Sequence, residues 1–115
     1  MISFGKMKIP RFVDIGSEKI EVIFDKEVKP METRLSFSEK KLIVGIMNVK
    51  ESRWPFILAL LIHELLEAIC LARGFRFDNG MGDLLIITTH NEFNIACEDL
   101  ATILSKFVIK GGSDG

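Results

Sequence analysis

The chain has 115 residues, of which 48% are hydrophobic and 27% charged. That is one domain's worth of chain, with enough apolar material for a real core. The net charge is −1, and Lys and Arg are scattered, so no electrostatic footprint for nucleic acid is present. The opening residues, Met1-Ile2-Ser3-Phe4-Gly5-Lys6, lack the apolar core of a signal peptide. A reducing, cytoplasmic setting is therefore expected. Cys70 and Cys97 both fall in apolar helical contexts and read as reduced packing residues, or at most one disulfide; their spacing is not a zinc-ribbon pattern.

Phe4 to Ile15 is mixed, with Pro10 interrupting any regular pattern; Met7-Lys8-Ile9 reads as a short strand. In Lys19 to Asp25, Ile20, Val22 and Phe24 alternate with their neighbours at the period of a half-buried strand. Lys29-Pro30-Met31-Glu32 reads as a turn or loop. Arg34-Leu35-Ser36-Phe37 follows, with Leu35 and Phe37 facing one way, and Ser38-Glu39-Lys40 reads as a hairpin turn. Lys41 to Met47 is a second good strand; its weak sidedness predicts cover on both faces. Trp54 to Ala72 is a long apolar helix, with Ser52 as expected N-cap, Pro55 in its first turn and Gly74 past its end. Phe75 to Asp83 is loop-like and glycine-rich, and Phe75 and Phe77 either line a cleft or cap the core. Leu84 to Ile87 reads as an edge strand or as the entry to a last helix. Thr88 or Thr89 caps that helix, which runs from about His90 to Val108 with an apolar stripe of Phe93, Cys97, Leu100, Leu104 and Phe107. Glu92, Asp99 and Lys106 fall on its solvent face. The residues 111–115 read as a flexible tail. The expected architecture is one α+β domain over residues 1–110, a small mostly antiparallel sheet packed on two long helices.

The helix from Trp54 carries the chemistry. His63 and Glu67 lie one turn apart, with Glu64 beside them, and almost every neighbour is apolar. The run is nearly long enough to span a bilayer, but charges in its middle argue against a membrane. A helix apolar all round is expected to be buried, and ionisable groups there are costly unless compensated. A divalent metal is the simplest compensation, since it pairs with an imidazole and a carboxylate together. His63 and Glu67 would supply two ligands. His90, expected to face the core from the neighbouring helix, would supply a third. Glu64 would then stand beside the metal as general base. The competing explanations are ordinary. They are a core histidine satisfied by hydrogen bonds, a Glu67 ion pair with Arg73 or Arg53 or a partly exposed Glu67, helix-start chemistry at His90, and a solvated face at Glu98 and Asp99.

Strands, then a His-Glu-x-x helix, then a further helix resembles the minimal zincin arrangement. The segment Leu60-Leu61-Ile62-His63-Glu64-Leu65-Leu66-Glu67-Ala68-Ile69 is similar to the active-site helix of small zincin-like metallopeptidases common in phage and bacterial genomes. The hairpin Arg34 to Met47 is similar to the strand that lines the substrate cleft in that family. The resemblance covers the chain from about Glu32 onward and is specific in one helix. It implies that His63 is a zinc ligand and Glu64 the catalytic base of a metal-dependent hydrolase of peptides or proteins. The family's second histidine falls at Glu67, and a carboxylate there makes manganese, iron or magnesium more plausible beside zinc. The third ligand in the family comes from a downstream helix, where His90 and Glu98 are the candidates and Asn94 could support a ligand. The departure at Glu67 also admits a degenerate zincin that serves as a binding or assembly module, and a structural protein in which the polar trio pairs internally. The short chain leaves room for an oligomer or a partner protein to complete the cleft.

Overall fold

A computed structural model describes residues 1–74, 76–78, 84–86 and 89–110. Expectations that fall on Phe75, the Phe77 side chain, Ile87, Thr88 and the tail 111–115 lie outside the described residues. The elements in chain order are β1 (Ile2–Phe4), β2 (Met7–Ile9), β3 (Phe12–Ile15), β4 (Glu18–Asp25), β5 (Arg34–Ser36), β6 (Lys41–Gly45), α1 (Trp54–Ala72), β7 (Arg76–Asp78), β8 (Leu84–Ile86), α2 (His90–Leu104) and β9 (Val108–Ile109). Single 3-10 turns at Pro30–Glu32 and Glu51–Arg53 precede β5 and α1. The class is α+β, with mostly antiparallel sheets and two helices.

The first fifteen residues hold three strands where the sequence suggested one. Gly5-Lys6 and Gly16-Ser17 are the reason. Phe4 pairs with Met7 and Ile15 with Glu18, so each hairpin closes over two residues. In each, only the leading glycine has positive φ, +60° and +61°. That is the turn whose twist matches paired strands and whose first position favours glycine. Pro10 sits between two hairpins and interrupts neither.

The central sheet has the order β3-β4-β6-β5. β4 and β6 run parallel, from Glu21 opposite Lys41 to Asp25 opposite Gly45, and β3 and β5 are antiparallel edges. Alternation places Val13, Ile15, Ile20, Val22, Leu42 and Val44 in the core. A second sheet, β1-β2-β9, adds Phe4, Met7 and Ile9. The Phe4 and Phe24 rings meet at 5.9 Å and join the two sheets.

α1 lies on the central sheet and buries Ile57, Leu61, Leu65, Ala68 and Ile69. Each fully buried leucine contributes about 1.5–3 kcal/mol. The expectation of all-round burial is corrected. The segment Glu51–Ala72 is long and apolar enough to cross a membrane by composition, yet only 33% of its 18-residue apolar window is buried. The sheet covers one face, so Ala59, His63 and Leu71 are exposed. Ser52 is not the N-cap either; it lies in the 3-10 turn, and Arg53 takes that position without a side-chain cap. At the other end Gly74, at φ +75°, follows the helix as expected.

α2 starts at Thr89 in a full capping box with Glu92. Its buried residues are Ala96 and Ile103, with Leu100, Leu104 and Phe107 packed against the core. Phe93 and Cys97 are exposed, so the stripe is rotated from the expected one. Cys70 is buried as expected, Cys97 is exposed, and the two form no disulfide. Asp99 and Glu92 are half-buried and occupied, Asp99 by Arg73 and Glu92 by the cap, so neither is a plain solvent-face residue.

Candidate metal and peptide cleft

The arrangement of α1 follows from its azimuths, at about 100° per residue. With His63 taken as zero, Ile57, Leu61, Leu65 and Ala68 cluster on the far side, at about 120–200°. His63 therefore points directly away from the sheet and is exposed, with 67% of its side chain open to solvent. Glu67, Leu71, Glu64 and Ala68 fan in that order down one flank. The flank faces the β5 edge, where Leu35 and the following Phe37 complete a cavity of about 40 Å³. Both Glu64 and Glu67 are half-buried there.

His63 Nε2 and Glu67 Oε1 stand 3.6 Å apart. That is too long for a hydrogen bond. It is close to the spacing of two ligands on one tetrahedral cation, which bonds of about 2.1 Å place about 3.4 Å apart. The pair thus fits a shared divalent ion as well as it fits a weak solvent-exposed ion pair. Glu67 does not pair with Arg73 or Arg53: Arg73 holds Asp99 with two hydrogen bonds of 2.6 and 3.1 Å, and Arg53 stacks on the Phe56 ring at 4.6 Å. The Asp99 hydrogen bond raises the Arg73 pKa further above its ordinary value.

The expected third ligand is not brought to this pair. Among the described residues no group of three His, Cys, Asp or Glu side chains gathers to hold a metal. His90 is exposed, so the expectation that both histidines face the core is corrected. The cause is where α2 packs. Its Asp99, Thr102 and Ile103 meet Ile69, Ala72 and Arg73 of α1 and the β3 edge, on the side opposite the Glu64 cavity. From Asp99 the helix runs to Leu104, and Lys106 just past its end lies beside Pro10 and Phe12. His90 lies nine residues the other way, about 13 Å along the axis. Glu98 and Asn94 are exposed on the same helix. The residues present therefore fit a metal with two donors, and no third from α2 joins them.

The sequence reading named the hairpin as a cleft wall without identifying which residues form it. Leu35 and Phe37 on one side, and Leu71 one turn past Glu67, are the neighbours of the two carboxylates that it left unplaced. The signal was available: Leu71 lies four residues after Glu67, and Leu35 and Phe37 share one strand face. No protein-family model matches the chain, and neither a curated protein nor a solved structure matches it.

Proposed function

We propose that the protein is a small metal-dependent hydrolase of the zincin type, acting on an extended peptide laid along the outer edge of β5. One observation carries this reading: Glu64 and Glu67 share a cavity with Leu35 and Phe37 of the sheet's edge. Plain solvation of two carboxylates does not need an apolar wall, whereas a peptide-processing cleft does. In this reading His63 and Glu67 hold a divalent cation, zinc first and manganese or iron next. Such a cation supplies Lewis acidity that makes a bound water a nucleophile near neutral pH. Glu64 takes the proton from the attacking water, and Leu35 and Phe37 orient the peptide against the helix flank.

The second reading is a zincin-like binding or assembly module without turnover. It is favoured by the gathering of two donors rather than three. Glu64→Gln and His63→Ala separate the readings. For a hydrolase, Glu64→Gln abolishes peptide cleavage and keeps stoichiometric metal by elemental analysis, while His63→Ala loses the metal. Wild-type protein that takes up neither zinc nor manganese refutes the metal site. Metal uptake and peptide binding without cleavage leave the binding module.

A further inference from the structure

We propose that the opposite edge of the central sheet, β3, is a second peptide site. It would take an extended segment of a partner protein by strand addition in the groove beside α2. Two adjoining cavities of about 420 and 110 Å³ run along this edge. They share Asp14, Thr102 and Ile103, and extend from Gly16 and Arg73 at one end to Pro10, Phe12 and Lys106 at the other. One wall is a strand at the end of its sheet. The other is α2, and Ile15, Ile69 and Ile103 make the apolar floor.

The hydrogen-bond phase of β3 fixes which backbone groups face the groove. Val22 donates its N–H to the Arg11 carbonyl at 2.8 Å, so Arg11 and Val22 form a bonded pair. Antiparallel pairing alternates, so the next bonded pairs are Val13 with Ile20 and Ile15 with Glu18. The N–H and C=O groups of Phe12 and Asp14 consequently point away from β4, into the groove. They are placed to bond an added strand, the mode in which backbone gives affinity and alternate side chains give selectivity.

Charge names the segment. Lys19 lies opposite Asp14 on β4, but its ammonium sits over the Phe12 ring at 5.8 Å. No ion pair engages Asp14 among the described residues. An added antiparallel residue bonded to Asp14 shares its sheet face, so a lysine or arginine there finds a carboxylate without a partner. The residues on either side of it face inward with Val13 and Ile15 and fill the apolar floor with aliphatic side chains. The partner segment is therefore aliphatic–basic–aliphatic, about four residues long to match Phe12–Ile15.

The test uses the full chain and the probe acetyl-Val-Lys-Val-Thr-Val-amide, followed by amide chemical shifts. Shifts are expected at Phe12 to Ile15 and at Thr102 and Ile103. N-methylation of the probe's Lys and Thr removes both donors to β3 and weakens binding about tenfold. N-methylation of its central Val leaves binding unchanged. Asp14→Asn weakens the probe about threefold, and norleucine in place of its Lys abolishes that sensitivity. The proposal is overturned if the probe does not bind at millimolar concentration, or if both N-methylated probes bind alike. Shifts confined to Arg34–Ser36, or self-association of the chain through β3, overturn it too. Because the site does not use His63, Glu64 or Glu67, its outcome is independent of the hydrolase reading.

Discussion

The β5 wall of the cleft hangs on one buried hydroxyl, and Thr33→Val measures it. Thr33 follows the 3-10 turn Pro30–Glu32 and is 8% exposed, the sole buried polar residue among those described. Its Oγ1 accepts the Gly45 N–H at 3.0 Å, pinning the entry of β5 to the end of β6. Valine keeps the shape and removes the acceptor. A buried N–H left without a partner costs about 1–3 kcal/mol. The added methyl recovers up to about 1 kcal/mol by apolar burial. Taking the middle of the first range, about 2 kcal/mol, a net loss of about 1–2 kcal/mol follows, and at this chain length each kcal/mol moves Tm by about 4 °C. The melting temperature of Thr33→Val should therefore fall by about 4–8 °C, and exchange of the Gly45 amide should accelerate. Thr33→Ser keeps the acceptor, and its loss should be smaller. A Thr33→Val protein as stable as wild type, or more stable than Thr33→Ser, refutes the assignment of the hydroxyl as the anchor.

Gly45→Ala strikes the same junction from the other side. A Cβ built on Gly45 collides with the Lys29 carbonyl and lies within 2.6 Å of the Val28 oxygen, so backbone must move. Denaturant unfolding should show a loss of at least about 1–3 kcal/mol, whereas a glycine tolerated only for flexibility would lose less. Thr89→Ala removes the acceptor for the Glu92 N–H, now 3.2 Å away, and breaks the capping box. It should cost about 1 kcal/mol, and adding Glu92→Ala should cost less than the sum, because the two bonds act as one cap.

The strands from β4 to β6 and both helices are legible because each signal is local. Alternation marks Ile20 and Val22, an aliphatic run marks Leu42 and Val44, and Thr-x-x-Glu marks the start of α2. The azimuth of each helix is not. In α1 the apolar residues occupy every direction, so periodicity carries no phase, and the sheet chooses the face. In α2 the stripe through Phe93 and Cys97 lies beside the one through Ala96 and Ile103, about 90° around the helix. Hydrophobicity favours the phenylalanine; packing selects the alanine, whose small side chain suits the close approach of helix and core. The misplacement of His90 follows from that rotation and from the side of α1 on which α2 settles. The hairpins at Gly5 and Gly16 are less legible, because strands of three or four residues are too short to show alternation and a single glycine leads each turn.

Width explains why a cleft exists at all in so short a chain. Four strands at about 4.8 Å spacing put the edges of the central sheet about 14 Å apart. One helix about 10 Å across cannot cover that face. α2 widens the cover, but it packs against Ile69 and Arg73 and so extends it past β3. Nothing comparable among the described elements extends it past β5. There the bare flank of α1 overhangs a strand edge, and Glu67, Leu71 and Glu64 occupy that flank. Had the same carboxylates stood on the Ile69 side, they would have been placed in the helix–helix contact and required cations such as Arg73 for compensation. Their positions three residues apart at 64 and 67 set them where a carboxylate keeps solvent on one side and gains an apolar wall on the other. That half-wet, half-apolar setting is what a group must have to exchange a proton with water beside a bound peptide.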